Sequence, residues 1–470
     1  MLKIFNTLTR KKEKLIPLVD RKIKIYVCGA TVYDLCHLGH ARTFLTFDTI
    51  IRYLRHCGYQ VNYVRNITDI DDKIIKRAYE NNETTKQLTN RMIQEMHLDL
   101  DTLNILRPNY EPKVTDNIDT IIKLIHLLIK KNHAYISSNG DIMFSVKTMH
   151  NYGILSNKKK ISEIYNILKT PNIKNSPIDF VLWKTSKPGE PCWPSPWGAG
   201  RPGWHIECSA MNHSIFGNQL DIHGGGSDLI FPHHDNEIAQ SVCAYNMPYA
   251  KIWIHSGMLL LNHEKMSKSS NNFFTIRDIL KRYDPETIRY FLMSAHYRNQ
   301  LKYDDNSLKN AQASLKRLYI ALRDTKPNPD IKPHDGENYF ISKFISKMDD
   351  DFNTPEAYSV LFDMAHKLND LKVKQHSLTP RIAATLKYLA NIIGLLYQNP
   401  EMFLKKIALK NNKKFHIKKI QKLIKRRENA RKNNQWELSD KIRDKLTVMG
   451  ITLEDNPTGI TKWHDNNTNM

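Results

Sequence analysis

The sequence predicts an α/β protein in which a Rossmann-like parallel sheet, interrupted by an insertion, is followed by a helical bundle and a small C-terminal domain. Three stretches carry this reading. Ile23 to Gly29 is an apolar run ending in Cys-Gly, the pattern of a buried parallel strand that stops at a turn. Ala41 to Cys57 spaces Phe44, Phe47, Ile51 and Leu54 three and four residues apart up to Gly58, and Gln60 to Val64 reads as the next strand. After Thr275, apolar spacing in Tyr290 to Ala295, Ala311 to Leu322, Ala357 to Leu368 and Ile382 to Leu396 is that of packed helices. The strand, helix, strand crossover at the start builds parallel sheets whose ligands sit beyond the carboxyl ends of the strands, here at Cys28 and its successors.

The remaining elements follow in order. Helical, charged sequence runs from about Asp71 to Lys130, and Pro, Gly and Trp then crowd between Pro188 and Trp204, marking an insertion into the sheet. Strand-like sequence returns at Gln219 to His223 and Ile252 to Leu261, so the second half of the sheet is expected over about Gly203 to Asn262. Lys405 to Lys432 holds thirteen Lys/Arg against the single acid Glu428. A solvated face or an RNA contact would each explain that run. A short unit, Ile442 to Trp463, follows it.

At 470 residues the chain exceeds a single core, so two or more packed units are expected. Its most apolar stretches, such as Ile121 to Ile129, are too short to span a bilayer, and Met1 to Arg21 lacks an apolar block with a small-residue cleavage site. A cytoplasmic location with no membrane partner is therefore expected. Cys28, Cys36, Cys57, Cys192, Cys208 and Cys243 form no paired framework, which suits reduced thiols or metal ligands better than disulfides. The formal charge of +22 attracts polyanions. Abundant Lys, Asn and Ile, as drift in an A+T-rich genome produces, would give the same charge without RNA.

Three constellations carry chemistry. His37-Leu38-Gly39-His40 lies where the first helix starts. Unpaired N–H groups and a positive dipole end there suit phosphate, Gly39 lets a nucleotide approach, and two imidazoles can donate to a pentavalent phosphate. Alone, such a motif is more often a pair of surface or cap histidines. Lys265-Met266-Ser267-Lys268-Ser269 follows the strand ending near Leu261. Its two ammonium groups can neutralise charge moving onto a leaving pyrophosphate. The third set is Cys28, Cys208 and Phe231-Pro-His-His-Asp-Asn-Glu. With Pro232 as the first helical residue, His233 and Glu237 stand four apart on one face and His234 points elsewhere. Two thiolates, an imidazole and a carboxylate suit tetrahedral zinc, although each residue singly is more often a buried thiol, a satisfied histidine or a surface acid.

The two motifs in this order resemble the signatures of class I aminoacyl-tRNA synthetases. The wider set resembles cysteinyl-tRNA synthetases: Tyr26-Val-Cys-Gly, Asn66-Ile-Thr-Asp-Ile-Asp-Asp-Lys, Asp221-Ile-His-Gly-Gly-Gly-Ser-Asp, Met348-Asp-Asp-Asp-Phe-Asn-Thr-Pro, and a tail with Trp436, Asp440, Arg443 and Trp463. This resemblance implies ATP-dependent activation of L-cysteine, with Mg2+, and transfer to cysteine tRNA by a monomer. It implies one Zn2+ on Cys28, Cys208, His233 and Glu237 that also ligates the substrate thiolate. That selects sulfur over the oxygen of serine where a hydrophobic pocket discriminates weakly. It further implies His37, His40, Lys265 and Lys268 as catalytic groups, Gly29, Thr31, Thr68 and Trp204 around the cysteine and adenylate, and Gly39 and Asp228 at the nucleotide.

The domains expected are 1–100 and 201–262 as the two catalytic halves, 101–200 as a connective insertion, and 263–315 as the lysine loop with a stem-contact region. A tRNA-binding bundle over 316–400 and an anticodon domain over 401–470 complete the chain. Leu38, Ala30 and Ser270-Asn271 depart from the commoner residues of the family, the last removing a glycine beside a moving loop. Two other readings share these residues: a ligase joining cysteine to an amino sugar, and an inactive RNA-binding paralogue. The long helical, basic portion after Lys309 argues against the first, and the complete motifs against the second.

Overall fold

Short segments buried along most of their length build the parallel sheet. The computed structural model describes residues 1–157, 174–217, 219–261, 264–266, 272–327, 335–411, 417–448, 451–455 and 461–465. These fall into two units: Met1–Ile276 with Ala295–Tyr303 and Ile345–Glu356, and Arg277–Ser294 with Asp304–Phe344 and Ala357–Met470. No described helix is long and apolar enough to cross a membrane.

In the first unit a hairpin of β1 (Lys3–Asn6) and β2 (Lys11–Lys14) precedes β3 (Lys22–Val27), whose last three residues are buried. Helix α1 (Leu38–His56) follows, then β4 (Gln60–Arg65). The helix starts three residues before the apolar spacing does, because His37 and His40 cap it reciprocally: each imidazole Nδ1 accepts the other's backbone N–H at 3.3 Å. Helices α2 (Asp72–Glu80), α3 (Thr85–Thr102) and α4 (Ile118–Lys130) occupy the charged stretch.

The insertion holds an antiparallel sheet in the order β5 (Ala134–Ile136), β6 (Ile142–Phe144), β7 (Phe180–Thr185), β8 (Gly200–Pro202). Its apolar face shares a core with α4 and α5 (Trp204–Phe216), through Leu124, Leu128, Phe144, Leu182, Ile206 and Met211.

The parallel sheet resumes with β9 (Leu220–Gly226), α6 (Asp235–Tyr245) and β10 (Ala250–Ser256), in the order β10, β9, β3, β4. Three glycines end β9. A Cβ on Gly224 would meet the Phe47 ring at 2.2 Å, so α1 packs on this strand only because the side chain is absent. The stretch expected as one strand, Ile252 to Leu261, breaks at Gly257 into β10 and β11 (Leu259–Leu261). Strand β11 pairs with β12 (Glu264–Lys265) and with β13 (Leu301–Tyr303).

The second unit is helical, as the spacing predicts, apart from a terminal hairpin. It contains α8 (Pro285–Leu292), which follows the short α7 (Ile276–Leu280), then α9 (Asp305–Leu322), most of α10 (Asp335–Met348) and of α11 (Thr354–Val373), α12 (Thr379–Ile392) and α13 (Pro400–Asn411). Helices α14 (Ile417–Lys432) and α15 (Trp436–Val448) precede a hairpin of β14 (Ile451–Asp455) and β15 (Thr461–Asp465). Ile420, Ile424, Ile442, Leu446 and Ile451 form a core of their own there.

One buried acid makes this unit pH-dependent. Glu286 on α8 accepts hydrogen bonds from the Tyr319 hydroxyl (2.7 Å), Gln398 Nε2 (3.2 Å) and the Leu396 N–H (2.5 Å), yet burial pushes its carboxyl up to about 7. A carboxyl raised in the folded state stabilises fully below its unfolded value of 4.5, and loses that contribution as pH rises through the folded value. From pH 5 to 8, urea denaturation should therefore shift in favour of Glu286→Gln relative to wild type, by up to roughly 3 kcal/mol. A constant difference would show that Glu286 titrates as it does in water.

Candidate functional site

Beyond the carboxyl ends of β3, β9 and β10 lies a cavity of about 520 Å³, the position expected for a ligand of a parallel sheet. Cys28 and Gly29 enter it from β3, Gly226 and Asp228 from β9, and Ser256 from β10. His37, Gly39 and His40 reach it from the start of α1. Because both capping Nδ1 atoms accept N–H bonds, a neutral imidazole at either position carries its proton on Nε2 as a donor. The two rings stack with centroids 3.8 Å apart, and a Cβ on Gly39 would lie 2.8 Å from the His37 ring. Gly29 has a like constraint: its Cβ would fall 1.7 Å from the Asn66 carbonyl oxygen.

At one end of the cavity Cys28, Cys208, His233 and Glu237 bring one ligand atom each to within 4.8 Å of one another, and all four are buried. Cys28 Sγ is 3.7 Å from Cys208 Sγ and 3.3 Å from Glu237 Oε1, and His233 Nε2 is 3.1 Å from the same oxygen. The hydrogen bond from Cys28 brings the Cys208 thiol down to about 6, whereas burial, then Cys208 itself, pushes Cys28 up. Burial, the largest single influence, would lower His233, but the charges and hydrogen bonds of Glu237 and Cys208 together outweigh it and take the imidazole up to about 10. A second group, Cys28, His223, His234 and Glu237, meets the same distance limit.

The local backbone differs from the expectation. Pro232 does not begin the helix: residues 230–234 form a wider turn containing a cis Phe231–Pro232 bond, and α6 starts at Asp235. His233 still reaches Glu237. His234 does not point away, because the wider turn rotates it inward: it is buried, its Nε2 is 3.8 Å from Glu237 Oε1, and its Nδ1 is 2.8 Å from His255 Nε2.

Thr31, Trp204 and Asp228 also line the cavity. Trp204 begins α5, with its ring 4.5 Å from that of His233. Thr68 is not among the lining residues: it is buried, bridges to Thr31 in the backbone and donates to the buried Glu207 Oε2 at 2.9 Å. The backbone of Lys265 lies in β12 opposite Leu260, and Lys268 lies outside the described residues. Sequence reasoning missed three groups of the inner wall. His223 sits 3.5 Å from Cys28 Sγ and 3.3 Å from Glu237 Oε2, Tyr249 donates to Glu237 Oε2 at 2.9 Å, and His205 Nδ1 is 3.0 Å from His233 Nδ1. His223 and His205 stood inside recognisable blocks, but no spacing signal set them apart.

The description "tRNA synthetases class I (C) catalytic domain" matches residues 14–313, and "DALR domain" matches residues 343–398. A cysteine–tRNA ligase of Blochmanniella pennsylvanica is 79% identical, covering 99% of this chain and 100% of the relative. One of Blochmanniella floridana is 63% identical over the same shares of the two chains. Among solved structures, Mycobacterium tuberculosis methionyl-tRNA synthetase in complex with methionyl-adenylate covers 82% of this chain and 91% of its own, with TM-score 0.56 and 15% identity, a likeness of fold alone.

Proposed function

The chain belongs to the cysteine–tRNA ligases, a family of class I aminoacyl-tRNA synthetases, and from that premise we propose how its residues divide the reaction. Its substrates are tRNA, an amino acid and ATP. With full-length relatives of this kind, the amino-sugar reading has no support.

The observation that carries the substrate assignment is the buried cluster at the end of the nucleotide cavity. Cys28, Cys208, His233 and Glu237 hold one zinc ion, and this set is preferred to the His223 and His234 group because His233 packs on the Trp204 wall of the cavity. The donor chemistry fits the ion. With protons on Cys28 and His233 the four side chains sum to one negative charge, and a dication replacing both protons leaves that sum unchanged. Bound there, zinc supplies a soft Lewis acid that favours the thiolate of cysteine over the hydroxyl of serine.

The chain's own groups do the rest. Gly29, Thr31, Thr68 and Trp204 shape the wall around the amino acid, Thr68 by positioning Thr31 through its backbone. Asp228 and Gly39 border the nucleotide. The cysteine carboxylate attacks the α-phosphorus of ATP, accompanied by Mg2+. His37 and His40 donate to the phosphate oxygens from Nε2, and Lys265 and Lys268 take up charge on the departing pyrophosphate. A terminal ribose hydroxyl of tRNA then attacks the adenylate carbonyl and releases AMP. Residues 1–100 and 201–262 serve as the catalytic halves, 101–200 as the connective insertion, 263–315 as the loop and stem-contact region, 316–400 as the tRNA-binding bundle and 401–470 as the anticodon domain. The protein works as a cytoplasmic monomer.

Cysteine-dependent ATP–pyrophosphate exchange, measured beside charging of cysteine tRNA, tests this reading. Removal of residues from 417 onward should leave exchange within about twofold and reduce charging sharply, because α14 and α15 have their own core. A cut at Pro400 would be a poorer test: it removes Phe403, which stacks on Tyr319 at 4.0 Å in the bundle. Equal charging by the truncated chain would assign tRNA selection to the bundle.

A further inference from the structure

Two of the donors proposed for zinc stand on neighbouring helices, Cys208 on α5 and Glu237 on α6, so the placing of those helices sets the separation of a thiolate from a carboxylate. Helix α5 begins without help from its own sequence: its cap position is Gly203, which has no side chain to accept the unpaired N–H groups of the first turn. Gln240, buried and about one turn beyond Glu237 on α6, supplies the missing acceptor from across the interface. Its amide orientation is decided by its neighbours, because only one orientation gives each donor an acceptor. In it Oε1 accepts the Ile206 N–H at 3.3 Å, while Nε2 donates to the His205 carbonyl oxygen at 2.9 Å and to Ser209 Oγ at 2.6 Å. The Ser209 hydroxyl, buried as well, then has its own proton to donate onward and lies 3.5 Å from the Glu237 carbonyl oxygen.

These bonds bracket Cys208 on α5 and return to Glu237 on α6. The interval between Glu237 and Gln240 puts both side chains on one face of α6, toward α5. A slide of one helix on the other would change the separation of Cys208 from Glu237, and it would leave buried donors and acceptors unpaired, which opposes the movement. Resting on the zinc assignment above, we infer that Gln240, with Ser209, is a positioning residue of the metal site: it clasps α5 to α6 so that Cys208 and Glu237 are preset for one ion. It is not a ligand, since its amide is committed to α5. Tyr249 holds the Glu237 carboxylate independently, at 2.9 Å, so loss of the clasp loosens the ion without abolishing the site.

Gln240→Met keeps the length of the side chain and deletes its amide. In the full-length, zinc-loaded protein, loss of zinc to EDTA should run about tenfold faster than in wild type, the low end of the roughly 10- to 100-fold contributed by groups that support metal ligands. The KM for cysteine should rise and that for ATP should not. A purely structural glutamine predicts a different pattern. It would lower the melting temperature equally with zinc bound and after zinc removal, whereas a residue acting through the ion lowers that of the loaded form more. Equal lowering, or zinc loss at the wild-type rate, overturns the inference. If Gln240→Met does not fold, Ser209→Ala decides: faster zinc loss than wild type supports the clasp, and the wild-type rate rejects it. Zinc absent from the wild-type protein, or retained by Cys208→Ala, would instead reject the metal assignment and this inference with it.

Discussion

Cys208→Ala should reduce bound zinc from one per chain to a small fraction and lower cysteine-dependent ATP–pyrophosphate exchange more than a hundredfold. Loss of a direct ligand should exceed the 10- to 100-fold typical of an outer-shell partner. All four donors are buried, which keeps surface side chains from replacing the missing thiolate. Elemental analysis of the purified variant, shown folded by circular dichroism, measures the first effect. The same experiment separates the two overlapping donor groups. Under the assignment made here, His223→Ala keeps its zinc and Cys208→Ala does not; the reverse result would place the ion between Cys28, His223, His234 and Glu237. Alanine at Cys36, Cys57, Cys192 or Cys243, none of which belongs to either group, should leave the metal content at one.

Replacing His40 separates a catalytic imidazole from a helix cap. His40→Ala removes both the acceptor for the His37 N–H and the Nε2 donor facing the cavity. Loss of a donor to a developing charge typically costs roughly 10²- to 10³-fold, and exchange should slow on that scale with little change in the KM for cysteine. Glutamine at the third position of a helix is a usual capping-box partner, so His40→Gln can keep the cap while deleting the imidazole. If His40→Gln is as slow as His40→Ala, the imidazole acts on phosphate. Recovery to the wild-type rate in His40→Gln would reduce His40 to a structural cap.

Local chemistry made much of the architecture legible. A six-residue strand with Ile23, Ile25, Tyr26 and Val27 buried, the spacing of Phe44, Phe47, Ile51 and Leu54, and the next strand at Gln60 place the crossover because each signal is contained within a few residues. The helical second unit was equally readable. The four-residue interval between His233 and Glu237 was sound in its consequence, although the turn that achieves it is wider than an α-helix and turns His234 inward.

What the sequence by itself determined were the first crossover and the helical second unit, the order of the two motifs, and the residue types from which a zinc set could be chosen. Tertiary structure alone decided which side chains share a volume. Cys28 and Cys208 are 180 residues apart and meet because α5 and the end of β3 share a core that also holds Tyr26 and Phe216, and His223 joins them because β9 lies hydrogen-bonded beside β3. Nothing in their spacing encodes that approach. Proximity across a parallel sheet depends on strand order and register, which are fixed by the summed burial of the whole core and not by any local pattern.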